Sequence, residues 1–140
     1  MASVHKEITT KAHPDAVWDA IRDIGALHTR LVPGFVVDTQ LVPAARVVTF
    51  ANGMVVTEPI IDLNEAARRL VWGAQGGQLT HYSASVQAFA QPEGGSRVVW
   101  IADFLPHEAA AMVEPMMAQG MAAMQRALDP LASEGSTGEP

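Results

Sequence analysis

The sequence predicts an α+β domain: one strand, two short helices, six further antiparallel strands and a single long C-terminal helix. The last element carries most of this. Placed on a helix at about 100° per residue, Ala110, Val113, Met117, Met121, Met124 and Leu128 fall within one arc roughly 80° wide. A flanking strip holds Met112, Met116, Gly120 and Ala123, which are small or flexible. Such a stripe needs a surface to cover. From Phe35 to Leu105 the chain instead alternates with period two between turn-forming clusters, the pattern of half-buried strands. With only two short helical patterns, both directly after the first strand, βαβ repeats are disfavoured.

In order, Val4 to Thr10 alternates and reads as the first strand. His13-Pro14-Asp15 starts a helix, because proline suits the first helical position and an acidic residue suits the first turn. Gly25 ends it, and Ala26 to Leu31 forms a second short helix stopped by Val32-Pro33-Gly34. Phe35–Val42 and Arg46–Ala51 flank a turn at Pro43, and Asn52-Gly53 is a hairpin signal because both residues tolerate positive φ. Met54–Leu63 follows, with Pro59 implying an edge or a bulge. Arg68–Ala74, Leu79–Ala90 and Arg97–Leu105 complete the strands. In the last hairpin Tyr82, Ala84, Val86 and Ala88 share a face, and Val98, Trp100, Ala102 and Phe104 share the face that meets it. Alanines beside large aromatics, under a helix of Met, Gly and Ala, leave room for a cavity. Pro115 predicts a kink or restart in the final helix. Residues 1–130 thus form one domain, and 131–140, small and polar, are expected as a disordered tail.

Composition narrows the function. A chain of 140 residues buries a sizeable core without staples. There is no cysteine, which removes disulfides, thiolate nucleophiles and cysteine metal ligands. Nine basic against fifteen acidic residues, a net charge of −6, argue against a nucleic-acid partner. Neither a signal-peptide pattern nor an apolar run of membrane-spanning length is present, and a reducing cytoplasm is the expected location. The five histidines, at 5, 13, 28, 81 and 107, lack paired metal-ligand spacing, so no metal is expected. No serine sits in a nucleophile elbow, and phosphate-cradling glycine motifs are absent, so no cofactor is expected.

The element order, together with His13-Pro14-Asp15-Ala16-Val17-Trp18, Asn52-Gly53 followed by Glu58, Arg69-Leu70, Gly76-Gly77 and the stretch Trp100 to Pro106, resembles the START/birch-pollen-allergen helix-grip superfamily (SRPBCC). Within it, the resemblance is to the bacterial polyketide cyclase/dehydrase-like proteins, from residue 4 to about residue 129. It implies a helix-grip fold, in which a curved seven-stranded antiparallel sheet wraps around the C-terminal helix. These motifs specify fold and leave activity open, since the superfamily includes lipid carriers, hormone receptors and cyclases. A finer likeness is to the plant abscisic-acid receptors. Gly53 falls at their gate loop and Gly76-Gly77-Gln78-Leu79 resembles their latch, which implies that Glu58, Trp72, Tyr82 and Ala84 face a cavity. The gate is shortened here to Ala51-Asn52-Gly53-Met54, and no lysine near Arg46 matches the receptors' pocket lysine. A receptor role does not carry over.

Glu58 is the sharpest candidate for chemistry. If its face of the strand points inward, desolvation raises its pKa and suits it to acid/base work or to anchoring a polar group. Alternatively, curvature at Pro59 turns it to solvent, or Arg69 pairs with it. Tyr82 offers a hydroxyl that would bind a ligand carbonyl or satisfy itself on backbone. His81 and Asp103 fall on the outward face, and His28 could sit at a cavity mouth. Five of the seven methionines lie in the C-terminal helix, where they either fill core gaps or adapt to apolar ligands. The leading expectation is binding of a hydrophobic small molecule (lipid-like, aromatic or polyketide-like) by Asn52, Glu58, Trp72, Tyr82, Trp100, Met117, Gly120, Met121 and Met124. The alternatives are a cyclase or dehydratase using Glu58 and Tyr82 as catalytic residues, and a partner-binding domain with a filled core.

Overall fold

A computed structural model describes residues 2–75 and 79–137. Its seven strands are β1 (Ala2–Thr10), β2 (Val36–Val42), β3 (Ala45–Phe50), β4 (Val55–Asn64), β5 (Arg69–Gly73), β6 (His81–Ala90) and β7 (Ser96–Leu105). Helix α1 (Pro14–Arg22) follows β1, then a 3₁₀ turn at Ile24–Ala26 and a π-helical turn at Leu27–Leu31. Helix α2 (Ala110–Thr137) ends the chain. The strands form one antiparallel sheet in the order β1-β7-β6-β5-β4-β3-β2. This is the helix-grip α+β architecture, a curved sheet closed by the C-terminal helix.

Alternation places the core as the sequence implied. Ala84, Val86 and Ala88 of β6 are buried with Val98, Trp100, Ala102 and Phe104 of β7, against Val113, Met117, Met121, Met124 and Leu128 of α2. Helix α2 runs through both Pro115 and Pro130, without the restart expected at the first. Residues 131–137, expected as part of a disordered tail, continue the helix. Among the described residues, no helix is long and apolar enough to cross a membrane.

Pro59 marks the place where β4 changes partners. Before it, Val55–Pro59 pair with β3; after it, Ile60–Asn64 pair with β5, with a bulge between Ile60 and Asp62. The strand lies inside the sheet, so the bulge is the alternative that holds and the edge is not. This bend helps curl the sheet around α2.

The helices after β1 are tied down by charge. Glu65, in the β4–β5 turn, accepts from the Arg22 guanidinium and from Trp18 Nε1. Arg30 bridges back to Asp19 at 2.7 Å and to Asp23 at 3.0 Å. These contacts fix Ile21, Leu27 and Leu31 against the sheet. At the far hairpin, Gly95 has φ of 80°, and a β-carbon there would strike the Thr10 carbonyl. Gly95→Ala is expected to destabilise by about 1–3 kcal/mol through that contact and the left-handed backbone. Urea unfolding measures it, and an unchanged midpoint would contradict the packing described.

Candidate functional site

Between the concave sheet and α2 lies a cavity of about 100 Å³. The sheet supplies Glu58, Trp72, Tyr82 and Trp100, the helix Met117 and Met124, and the turns after α1 add Leu27 and Leu31. Lining residues Met54, Leu79 and Met116 are half-buried and Met112 is 40% exposed, so the cavity meets solvent between the β3–β4 turn, the start of β6 and the start of α2.

The polar centre is an ion pair. Arg46 of β3 and Glu58 of β4 are directly opposite in register, and both side chains are buried. Arg46 Nε donates to Glu58 Oε1 at 2.8 Å, and its Nη1 donates to the Ile24 carbonyl at 3.3 Å. The guanidinium carbon sits 5.4 Å from the Trp72 ring centroid, close enough for a cation–π contact. Burial pushes the Glu58 carboxyl above the usual carboxylate range, and Arg46 pulls it back by charge and hydrogen bonding. Tyr82 lies within electrostatic reach: burial raises its phenol pKa, and the Glu58 charge pushes the same way. Its ring stacks on Phe104, with centroids 6.5 Å apart. The Tyr82 hydroxyl makes no hydrogen bond among the described residues.

Trp72 and Trp100 meet at 6.4 Å between centroids, tilted by 44°. Trp100 Nε1 is buried without a hydrogen-bond partner among the described residues. Its six-membered ring crosses α2 at Gly120, where a β-carbon would lie 2.7 Å from Cζ3. Gly120 therefore seats the indole and does not line the cavity.

Six of the sequence-predicted residues come together on the cavity wall: Glu58, Trp72, Tyr82, Trp100, Met117 and Met124. Three do not. Asn52 is exposed, and its Oδ1 accepts from the Met54 N–H within the turn. Met121 is buried in the core beside the cavity, and Gly120 acts through Trp100. Glu58 points inward, and its partner is Arg46, whereas Arg69 starts β5 in register with Asn64 and Gln87. The latch-like Gly76-Gly77-Gln78 lies outside the described residues. His81 is exposed, and His28 Nδ1 is hydrogen-bonded with Thr39 Oγ1 at 3.0 Å. Asp103 accepts from the Ser3 hydroxyl on the outer face.

Arg46 is the polar cavity-wall residue that sequence reasoning missed. Arg46 and Glu58 are equidistant from Asn52, and the hairpin turns about that residue through Ala51-Asn52-Gly53; a two-residue turn at Asn52-Gly53 would have set Arg46 opposite Pro59 instead.

Several solved structures share the fold. An uncharacterized protein from Bacillus thuringiensis matches with a TM-score of 0.82 and 20% identity, over 91% of this chain and 98% of that one. The Zhui aromatase/cyclase from Streptomyces sp. R1128 matches at 0.72 and 20%, over 94% and 93%. Norcoclaurine synthase from Thalictrum flavum, in complex with dopamine and hydroxybenzaldehyde, matches at 0.73 and 21%, over 95% and 87%. At these identities the likeness is one of fold. No curated protein matches the sequence significantly. The family model described as polyketide cyclase / dehydrase and lipid transport matches residues 1–134, nearly the whole chain that builds this sheet, helix and cavity. The chain belongs to the polyketide cyclase/dehydrase and lipid transport family.

Proposed function

We propose that this protein binds a small hydrophobic molecule, aromatic, polyketide-like or lipid-like, in the cavity between its sheet and α2. One observation carries the reading: an apolar cavity, open at one end, holds on its wall a buried ion pair and a phenolic hydroxyl that is unbonded among the described residues. Apolar walls with a few placed polar groups are the usual make-up of a ligand site. The volume is below the roughly 300–1,000 Å³ of typical ligand pockets and near the roughly 150 Å³ of an apolar cavity that takes up benzene. A single ring enters with a small shift of the flexible methionines that form the mouth, and a longer ligand extends through it. A filled, partner-binding interior fits this wall less well.

The test is a titration with single-ring apolar probes such as toluene and indole, followed by thermal unfolding. Wild type is expected to be stabilised, by the mass-action relation between binding and stability. Met117→Trp, which puts an indole into the cavity from α2, is expected to abolish that stabilisation while the protein still unfolds cooperatively. If no probe stabilises the wild type, the binding reading fails.

Catalysis of cyclase or dehydratase type is the second reading, with Glu58 moving a proton and Tyr82 steadying an oxyanion-like oxygen. The proximity of these groups in a water-poor cavity supports it. The Arg46 bond weighs against it, because a guanidinium stabilises the carboxylate and weakens it as a base. Loss of poly-β-keto substrate turnover in Glu58→Gln would favour catalysis; unchanged turnover would remove Glu58 from that role.

A further inference from the structure

The Arg46–Glu58 pair joins through one hydrogen bond, Nε to Oε1, and Arg46 spends Nη1 on the Ile24 carbonyl. Glu58 Oε2 and Arg46 Nη2 therefore have no partner among the described residues. Neither belongs to the polar atoms that are both unpartnered and sealed from a water-sized probe, a condition met only by Trp100 Nε1 among the described residues. Both side chains line the cavity. The wall thus offers a ligand one acceptor and one donor, side by side on groups that a 2.8 Å bond holds together.

We infer that the cavity selects an uncharged cyclic ligand whose head group both donates and accepts, such as a primary amide or a phenol, and discriminates against carboxylates. This rests on the binding reading above and adds the head group to it. An amide would donate its N–H to Glu58 Oε2 and accept from Arg46 Nη2, leaving the pair intact. A carboxylate would gain Arg46 only by facing Glu58, a second negative charge in a poorly solvated space. A bare hydrocarbon ring would cover both polar atoms and leave them without water or a partner, which costs free energy. The Tyr82 hydroxyl, unbonded among the described residues and within electrostatic reach of Glu58, can serve either side of the head group.

Benzamide, benzoate and toluene test this, being close in shape and different in head group. Titrations of the full chain at mildly alkaline pH are followed through the indole N–H signals of Trp72 and Trp100, both on the cavity wall. Benzamide is expected to bind about tenfold or more tightly than either of the others, the ratio expected for one buried polar pairing. In Glu58→Gln, which leaves the Arg46 charge uncompensated, benzoate is expected to overtake benzamide. The double variant Arg46→Met/Glu58→Leu removes both polar groups and keeps the reading testable if the single variant does not fold. There toluene should still bind and the advantage of benzamide should vanish. If toluene or benzoate matches benzamide in the wild type, or if benzamide keeps its lead in either variant, the head-group inference is overturned and the cavity reading stands. If none of the three binds the wild type, both fall.

Discussion

Arg46→Met is expected to destabilise the protein by about 3–5 kcal/mol near neutral pH, the cost of breaking a buried ion pair from one side. Arg46 is 2% exposed and Glu58 7%, so removing the arginine side chain strands a buried carboxylate without its cation. The loss should depend on pH in a defined direction. Burial already holds the folded-state pKa of Glu58 above its ordinary value of 4.5, and removing Arg46 takes away the groups' mutual attraction that restrains the rise. A carboxyl with a raised folded pKa contributes stability that is present below its unfolded pKa and lost as pH rises through the folded one. The Arg46→Met deficit should therefore be small in mild acid and grow towards alkaline pH. Replacing both partners, Arg46→Met/Glu58→Leu, should restore stability to the wild-type level or above, since well-packed apolar groups often match a buried pair. Urea unfolding across pH measures all three proteins. A single variant within about 1 kcal/mol of wild type at neutral pH would show that the pair is solvated.

Gly120→Val is expected to cost about 3 kcal/mol, at the upper end of overpacking penalties, and to close the cavity. A β-carbon at this position lies 2.7 Å from Trp100 Cζ3, 3.0 Å from Cη2 and 3.2 Å from Phe35 Cε2. The indole is the side that must yield, and it is held between Trp72 and α2 on the cavity wall. Unfolding measurements give the stability loss, and toluene titration gives the loss of binding. Retained binding at full wild-type affinity would mean that Trp100 can shift without filling the space.

Elements were legible because each rests on a local pattern. The arc from Ala110 to Leu128 and the alternation of β6 and β7 report which side of each element meets apolar surroundings. The turn at Asn52-Gly53 was readable for the same reason, since Gly53 adopts φ of 91° that a glycine tolerates freely. Position within the wall was not legible to the same degree. Met117, Met121 and Met124 share one stripe on α2, yet Met117 and Met124 line the cavity while Met121 is core. Periodicity gives the face of a helix, not the depth of the groove opposite it. Asn52 lies in the turn and off the cavity wall, because turn chemistry and ligand chemistry use the same side-chain amide, here accepting from the Met54 N–H.

The sequence by itself determined an α+β chain with a long apolar-striped helix at its end, Glu58 and Tyr82 as candidates with the direction of Glu58 left open, and a family resemblance that the match over residues 1–134 bears out. Only the tertiary structure decided that Arg46, and not Arg69, neutralises Glu58, and that Gly120 makes way for an indole. It also set the free space at about 100 Å³. The reason is physical: hydrophobic period and turn preference act between near neighbours in the chain, whereas a cavity and a buried charge pair are set by which strands meet and how closely they pack.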